Sequence, residues 1–217
     1  MLLLTNLTVG YANNILLEDV NLTLQSGETA YIKTSVLDGG SSLLKSCAGV
    51  TTPLDGEVRI DGKRISSLGA RNRFNAVTLC YEMGGLISVF TNFNNIALPI
   101  FYHNNLSSAE VSARIADIAD KLSITDLLHR ESFQLNDVQI RLVNLARALV
   151  IRPKVILLDE LQAGMSSSMR ERILDVVLKE QLLHNYAIIM ISTAGDDIQH
   201  AHQIYKIDQK KLVREPF

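Results

Sequence analysis

Short runs in which apolar residues alternate with polar ones begin the chain and predict β-strands. Leu2–Tyr11 and Val20–Leu24 alternate apolar residues with Thr or Asn, and the dipeptide Asn13-Asn14 between them is typical of a turn. A third strand is predicted over Thr29–Thr34, whose sequence is TAYIKT. The amino-terminal part of the chain is therefore expected to form a β-region.

A turn rich in glycine and serine follows the third predicted strand and leads into a helix. The turn spans Asp38–Gly40, and Ser41–Lys45 begins the helix. Backbone N–H groups in such a turn can bind phosphate, although the same turns occur wherever a positive φ is needed. Beyond the helix, Pro53–Lys63 (PLDGEVRIDGK) predicts a strand bracketed by two Asp-Gly turns, and Ala76–Glu82 (AVTLCYE) predicts a buried strand.

Helical periodicity replaces the strand pattern in the middle of the chain. Ser107 and Glu110 form a capping-box pattern at the start of one helix. Arg152-Pro153 ends a second helix, because proline cannot continue it. Apolar residues recur at helical spacing along the two helices, at Val111, Ile115, Ile118 and Leu122 and then at Val138, Leu142, Leu145 and Leu149.

Strands and helices alternate again in the last third of the chain. The predicted elements are an apolar strand at Val155–Asp159, a helix that Ser168 and Glu171 cap and that reaches about Leu183, a buried strand at Ala187–Ser192 and closing strands within Gln203–Val213. Because near-continuous apolar strands alternate with helices, the pattern predicts an α/β fold with a mostly parallel sheet.

Composition narrows the classes of protein that fit this pattern. The 217 residues carry a formal net charge of −2, so no basic field indicates a nucleic-acid partner. The two cysteines, Cys47 and Cys80, indicate small buried residues and no disulfide framework. Met1–Val9 is apolar but lacks the basic flank of a signal peptide, and no stretch reaches the roughly 18 apolar residues of a membrane-spanning helix. We expect a cytosolic protein that binds no nucleic acid.

Motifs spread over nearly the whole chain resemble the ATP-binding subunits of ABC transporters. In the first half the resemblance rests on SGETAYI at Ser26–Ile32, the glycine–serine turn, LLKSCAGV at Leu43–Val50, and PLDGEVRIDGK. In the second half it rests on LNDVQIRLVNLARAL at Leu135–Leu149, VILLDE at Val155–Glu160, and AGMSS at Ala163–Ser167. These last three resemble the signature helix, the Walker B strand and the D-loop of the family.

This resemblance implies a fold, a set of partners and a location. It implies a P-loop NTPase-like ABC ATPase fold, in which a mostly parallel sheet core carries an antiparallel β region and an α-helical subdomain. Residues 1–217 would form a single domain, with the helical subdomain inserted at about 83–150. The implied partners are a membrane permease and a second ABC ATPase, in a homodimer or a heterodimer. The implied location is the cytoplasm, on the inner face of the membrane.

Within the family, the chain resembles the lipid-transport branch, the Mla- or Mce-associated ATPases. The segments that carry this resemblance are Asn95–Pro99 (NIALP) and His103–Ser107 (HNNLS). In the family this region docks on the membrane subunit, so Asn92–Ile100 and the helices after it are the expected docking surface. Its aromatic residues are either partner contacts or part of the core, and they are Phe90, Phe93, Phe101 and Tyr102.

The residues that would bind ATP and Mg²⁺, the cofactors that the resemblance implies, depart from the family pattern. The resemblance places nucleotide binding at Tyr11, Gly39, Gly40, Ser41 and Ser42, Mg²⁺ at Ser41 and Asp159, and catalysis at Glu160 and Glu82. Thr34 and Leu37 replace two glycines of the phosphate loop, and Gly40 stands where the family has a lysine. The lysines nearest in sequence, Lys33 and Lys45, lie before the loop and within the following helix.

Other motif positions are altered as well. The signature-like residues are Leu135, Asn136, Asp137, Val138 and Gln139. Asp137 and Val138 replace two glycines, and an acid at position 137 suits the first turn of a helix better than it suits a phosphate. Ser166 occupies the position of the D-loop aspartate, and Ala194 that of the switch histidine.

The altered motifs predict that ATP hydrolysis is lost. Phosphoryl transfer depends on positioning and electrostatic stabilisation, and removing one donor costs about 10²–10³ in rate. One hypothesis is a non-hydrolysing subunit that docks on a membrane permease, in lipid transport. The alternative is an ATP-binding, weakly active half of an ABC dimer that uses the retained Asp159 and Glu160. A soluble regulatory interaction module is the third hypothesis.

Overall fold

The computed structural model describes residues 1–82, 84–103, 106–193 and 198–216. Its strands are β1 (Leu2–Tyr11), β2 (Asn14–Leu24), β3 (Thr29–Lys33), β4 (Asp55–Ile60), β5 (Lys63–Arg64), β6 (Val77–Cys80), β7 (Val155–Asp159), β8 (Ala187–Ser192), β9 (Gln203–Asp208) and β10 (Lys211–Glu215). Its α-helices are α1 (Gly40–Cys47), α2 (Ala70–Ala76), α3 (Asn92–His103), α4 (Ser108–Lys121), α5 (Asp137–Ile151) and α6 (Ser167–His184).

The strands form two sheets. A six-stranded sheet has the order β10-β9-β3-β8-β7-β6, and every neighbouring pair in it is parallel except β10 with β9. A four-stranded antiparallel sheet has the order β2-β1-β4-β5. The expected α/β fold, with a mostly parallel core sheet and an antiparallel region, is confirmed.

The middle strands of the large sheet are buried on both faces. Every residue of β7 and β8 is buried. Along β7, Ile156 packs in one hydrophobic cluster whereas the next residue, Leu157, packs in the other. Near-continuous apolar strands are therefore required here, as in other sheets with two covered faces. Because the strands are parallel, Asp159 at the end of β7 and Ser192 at the end of β8 lie at the same edge of the sheet.

The second strand starts earlier than its pattern indicates. β2 begins at Asn14, whereas the alternation of apolar and polar residues predicts a start at Val20. Asn14 and Ile15 are exposed, yet they pair with Tyr11 and Gly10 across a tight hairpin. Since this end of the hairpin has no buried face, nothing selects for alternation there.

One of the two Asp-Gly pairs predicted as turns lies inside a strand. Asp55 and Gly56 are the first residues of β4. Gly56 has a φ of 78°, and a Cβ at this position would lie 2.4 Å from the carbonyl oxygen of Asn6. The glycine therefore permits a close approach between β4 and β1. The second pair, Asp61 and Gly62, forms the turn between β4 and β5 as expected.

Two helix starts differ from the sequence prediction. The sequence predicts no helix at α2, because Ala76 is the buried residue of this helix and no apolar stripe marks it. Since α2 includes Ala76, β6 begins at Val77, one position later than predicted. At α6 the N-cap is Ser166, whose Oγ accepts a hydrogen bond from the Met169 N–H at 3.4 Å. The predicted cap, Ser168, lies inside the helix.

The predicted helices in the middle of the chain are present. Ser107 and Glu110 form the expected capping box of α4, in which the Ser107 N–H donates to the Glu110 carboxylate at 2.9 Å. The apolar stripes of α4 and α5 are buried, apart from the half-buried Val138. Helix α3 contains Pro99 and packs against α4 and α5. Within the described ranges, no helix is both long enough and apolar enough to cross a membrane.

The aromatic residues around α3 divide between the core and the surface. Phe93 packs against the hydrophobic cluster that contains α4 and α5, and Phe90 is half-buried. Phe101 and Tyr102, by contrast, are 52% and 78% exposed. The carboxyl-terminal end of α3 therefore presents two aromatic rings to solvent.

A buried polar network holds the start of α3. Asn92, Asn95 and Ser132 are buried, and the Asn95 amide group donates to the Ser132 Oγ at 2.9 Å and to the Ile87 carbonyl oxygen at 3.0 Å. The Ile87 N–H donates back to the Asn95 Oδ1 at 2.8 Å. Since a buried donor or acceptor without a partner is costly, this one side chain fixes the segment before α3.

We expect Asn95→Ala to lower the free energy of unfolding by about 2–3 kcal/mol, because several buried hydrogen bonds lose their partner together. Urea denaturation followed by circular dichroism measures this. The matched control is Asn94→Ala, one residue earlier on the exposed side of α3. An equal loss of stability in the two variants would contradict the role given to Asn95.

Candidate functional site

A cavity of about 720 Å³ lies at the carboxyl ends of the central parallel strands. The lining comes from the loop at 34–42, the β1–β2 hairpin, the residues at the ends of β7 and β8, Glu82 after β6, and Ala163. This edge is where open α/β sheets bind their ligands. Eight of the residues that the sequence singles out line this cavity together, and they are Tyr11, Gly39, Gly40, Ser41, Ser42, Glu82, Asp159 and Glu160.

The loop that enters α1 has a left-handed backbone at two positions. Leu37 has a φ of 67° and is 93% exposed, and Gly39 has a φ of 100°. A Cβ at Gly39 would lie 2.9 Å from the Cβ of Leu16, so glycine is required there for space as well as for backbone conformation. Leu37 bears the same conformation with a large side chain that contacts little, which is an unfavourable arrangement for a leucine.

The carboxylate of Asp38 lies against the backbone of this same loop. Its Oδ2 accepts a hydrogen bond from the Ser35 N–H, and its Oδ1 accepts one from the Gly40 N–H at 3.0 Å. The Asp38 N–H in turn donates to the Ser35 carbonyl oxygen at 3.3 Å. One backbone donor at the start of α1 and one in the loop before it are thus satisfied by a side chain of the loop itself.

Ser41 and Asp159 join α1 to β7 at the floor of the cavity. The Ser41 Oγ donates to the Asp159 Oδ1 at 3.0 Å, and Asp159 is 4% exposed. The pKa of Asp159 is raised to about 6, chiefly by burial. The hydrogen bond from Ser41 opposes this rise, and the charges of the nearby Glu82 and Glu160 add to it. The predicted pair of magnesium-position residues is therefore in contact.

Glu160 is held by the end of β8. Its carboxylate accepts from the Thr193 N–H at 2.7 Å and from the Ser192 Oγ at 3.4 Å. Burial raises the pKa of Glu160, and the bonds from Thr193 partly offset that rise. The backbone of Glu160 is left-handed, with a φ of 47°, which turns the chain away from the sheet directly after β7. Thr193 lines the cavity but was not singled out from the sequence, because nothing local marks it.

No basic side chain of the described residues lines the cavity. Lys33 ends β3 but its Nζ pairs with Glu215 at 2.6 Å. Lys45, on α1, lowers the pKa of Asp159 through its charge without reaching the lining. The lysine missing from position 40 thus has no substitute among these neighbours.

The signature-like residues lie apart from this cavity and begin α5. None of the five, Leu135, Asn136, Asp137, Val138 and Gln139, lines it. Asn136 is the N-cap: its side chain accepts from the Gln139 N–H at 2.9 Å, and the Gln139 side chain accepts from the Asn136 N–H at 3.1 Å. Asp137 is the first residue of the helix, as expected. The switch position, Ala194, lies outside the described residues.

A second cavity, of about 450 Å³, was not expected from the sequence. It lies between α2, α3 and α5, and we call it the α2–α3–α5 groove. Arg73, His103 and Arg147 line it, and no acidic side chain of the described residues does. Arg147 donates to the Gly85 carbonyl oxygen at 2.6 Å, and burial lowers the pKa of its guanidinium. The exposed ring of Tyr102 stands at the rim.

The raised pKa of Asp159 predicts a pH dependence of stability. Because its folded pKa of about 6 exceeds the ordinary value of 3.8, the folded state binds more protons between these values. Stability should therefore fall as pH rises from about 4 to 6, by on the order of 2–3 kcal/mol from this group, and stay reduced above that range.

Asp159→Asn keeps an acceptor for Ser41 and removes the buried charge, so it should raise stability at pH 7 and flatten that decline. Urea unfolding at a series of pH values, in buffer with a chelator, measures both effects. The control is Asp55→Asn, an exposed carboxylate at the start of β4. If Asp159→Asn follows the wild-type pH profile, this interpretation of the buried carboxylate is wrong.

Comparisons with known proteins agree with this architecture. The family model for ABC transporters matches residues 17–163. Methionine import ATP-binding protein MetN of Legionella pneumophila is 28% identical over 206 residues, which are 94% of this chain and 60% of that protein. Lipoprotein-releasing system ATP-binding protein LolD of Psychrobacter arcticus is 26% identical over 187 residues, 84% of this chain and 83% of that protein.

A solved structure shows the same fold. A dimeric ATP-binding cassette in a post-hydrolysis state, bound to ADP and phosphate, superimposes with a TM-score of 0.90 at 22% identity, covering 99% of this chain and 98% of that one. The chain spans about 60% of the length of the methionine-import relatives that it matches. Since the family model covers well over half of the residues, the chain belongs to the ABC transporter family as one of its ATP-binding-cassette domains.

Proposed function

We propose that the chain is a non-hydrolysing subunit of an ABC transporter, which docks on a membrane permease through its helical region. ABC ATPase domains dimerise and pair with permease subunits. The observation that carries the proposal is the charge of the cavity at the loop 34–42. Four carboxylates line it, those of Asp38, Glu82, Asp159 and Glu160, and no basic side chain of the described residues does.

The negative charge of the lining opposes a triphosphate in this cavity. Two like unit charges about 4 Å apart repel by on the order of 4 kcal/mol at the effective dielectric of a protein surface. A working phosphate site uses positive groups to stabilise the charge on the phosphates, and losing one such donor costs about 10²–10³ in rate. Positions 194–197, which lie outside the described residues, have the sequence Ala-Gly-Asp-Asp and contain no basic residue.

Magnesium fits the site better than nucleotide does. Ser41 and Asp159 supply oxygen atoms, which are the ligands that Mg²⁺ prefers. When bound with ATP, Mg²⁺ neutralises charge on the phosphates. Among the described residues, however, no group of three or more His, Cys, Asp or Glu side chains is arranged to hold a metal ion. The pair Ser41–Asp159, with Glu160 held by Thr193, is what favours the second candidate function, a weakly active half of an ABC dimer.

The α2–α3–α5 groove is the docking surface that we propose. Its lining is mostly apolar, but it includes the polar Thr78 and Asn144 and the basic Arg73, His103 and Arg147. Phe101 and Tyr102, at the end of α3, are exposed. Exposed aromatic residues and arginine are enriched at protein interfaces. A permease segment with apolar and acidic residues would match this surface. Such docking would place the chain on the cytoplasmic face of the membrane, as a peripheral subunit.

The cargo class that we propose is lipid, on the sequence of α3. Asn95–Pro99 (NIALP) carries the likeness to the lipid-transport branch. Asn95, Ile96 and Ala97 are buried and serve the packing of α3, so the support for this cargo rests on the half-buried Leu98 and Pro99. Asn104 and Asn105, in the other segment that carries this likeness, lie outside the described residues.

We expect the purified chain to give no saturable heat when titrated calorimetrically with millimolar Mg-ATP, and to release no phosphate above background. The physical reason is the anionic, cation-free lining described above. Tyr11→Ala is the companion variant, because Tyr11 is 57% exposed at the cavity rim and is the aromatic residue available to an adenine ring. Saturable wild-type binding that Tyr11→Ala abolishes, together with phosphate release, would establish the weakly active alternative.

Docking is tested separately by photo-crosslinking in cells of the native host. With p-benzoylphenylalanine in place of Tyr102, at the rim of the groove, we expect a crosslinked product with an integral membrane protein in the membrane fraction. Leu182 is the matched control position, since it is 84% exposed near the end of α6, away from the groove. Equal products from both positions, or products confined to soluble proteins, would argue against permease docking through this groove.

A further inference from the structure

In the loop at 34–42, two backbone N–H groups already donate to a carboxylate of the loop itself. Phosphate groups bind at the start of a helix because successive backbone N–H groups converge there and the helix dipole favours negative charge. In this chain the N–H of Gly40, the first residue of α1, and the N–H of Ser35, in the loop before it, both donate to one carboxylate, that of Asp38. Each takes a different oxygen of that carboxylate, so the side chain spans the loop.

We propose that Asp38 is the residue that sets the selectivity of this loop against anions. Its carboxylate takes two backbone N–H groups of the loop, those of Ser35 and Gly40, and so acts as an internal substitute for a phosphate that would use them. This inference rests on the proposed function, since it names a reason why the same cavity would not bind nucleotide. The mechanism is occupation of the N–H groups and not simply the sum of charges in the cavity.

A second contact shows that the loop is packed around this arrangement. A Cβ at Gly40 would lie 2.6 Å from the Cγ2 of Thr34 and 3.2 Å from the Cδ1 of Ile191. Thr34 itself is tied to the sheet, because its N–H donates to the Ser192 carbonyl oxygen at 3.2 Å. The glycine at position 40 is therefore matched to Thr34 and Ile191. A longer side chain at position 40 would have to displace one of them.

The energetics favour the internal carboxylate over an external anion. Charge-assisted hydrogen bonds from backbone N–H groups to a carboxylate are about twice as strong as neutral ones. Asp38 is part of the loop and two residues from Gly40, so forming these bonds costs no loss of translational freedom. An incoming phosphate has to break both bonds and then lie beside the displaced carboxylate. Removing the Asp38 carboxylate should free the two N–H donors and also the space that the carboxylate fills.

The experiment uses inorganic pyrophosphate as the probe, because it offers phosphate oxygens without a base or sugar. Wild type, Asp38→Ala and Asp38→Asn are titrated by calorimetry, with the amide resonances of Ser35 and Gly40 followed by NMR. Asp38→Ala removes the acceptor as well as the charge, whereas Asp38→Asn removes the charge and leaves one acceptor oxygen. Asp55→Ala is the matched control, since Asp55 also accepts from a glycine N–H, that of Gly56, but far from the cavity.

The expected result is that Asp38→Ala binds pyrophosphate about tenfold or more tightly than wild type, the gain appropriate to freeing charge-assisted N–H bonds. The Ser35 and Gly40 amide resonances should shift on binding in this variant alone. Asp38→Asn should gain less, and Asp55→Ala should match wild type. Thermal melts of each variant verify that the fold is retained.

Three results would overturn the inference. They are an Asp38→Ala affinity equal to that of wild type in a folded protein, an Asp38→Asn gain as large as that of Asp38→Ala, and tight binding of pyrophosphate by wild type. The proposed function fails by a different result, namely hydrolysis of Mg-ATP by the wild-type chain. An inert wild type with no gain in Asp38→Ala would remove the inference and leave the proposed function standing.

Discussion

Burial of β7 and β8 on both faces is the constraint on which the rest of the structure depends. Parallel strands covered on both sides must be apolar along their length, so polar chemistry is confined to their ends. In this chain the carboxyl ends of β3, β7 and β8 therefore carry the loop 34–42, Asp159 and Ser192 to one edge. The same core that positions Asp159 also removes water from it, which is why its pKa rises.

At this edge of the sheet, the backbone geometry and the charge of the side chains favour different chemistry. The arrangement of loop, helix and strand end is that of an ATP-binding cassette, and the Ser41–Asp159 contact is intact. The lining of the described residues is nevertheless acidic: carboxylates surround the loop 34–42, and the Gly40 N–H donates to Asp38. A fold depends on apolar packing and not on the charge at the rim of a site, so one architecture is compatible with different chemistry.

The helical region is stabilised independently of that edge. Helices α3, α4 and α5 share one hydrophobic cluster, and the network of Asn92, Asn95 and Ser132 fixes the entry into α3. Nothing in this network touches the loop 34–42. The groove between α2, α3 and α5 is therefore held in place by packing that does not involve the loop 34–42.

The sequence by itself determined the features that depend on local pattern. These include the apolar strands β7 and β8, the capping box of α4 and the set of residues that gather at the sheet edge. The tertiary structure decided what depends on contacts between distant residues or on space. Four such features leave no periodic signal in the sequence. They are the exposed start of β2, the short helix α2, the hydrogen bond from Thr193 to Glu160, and the groove lined by basic residues. From the sequence alone Asp38 is predicted only as a turn residue. The folded loop shows which N–H groups donate hydrogen bonds to its carboxylate.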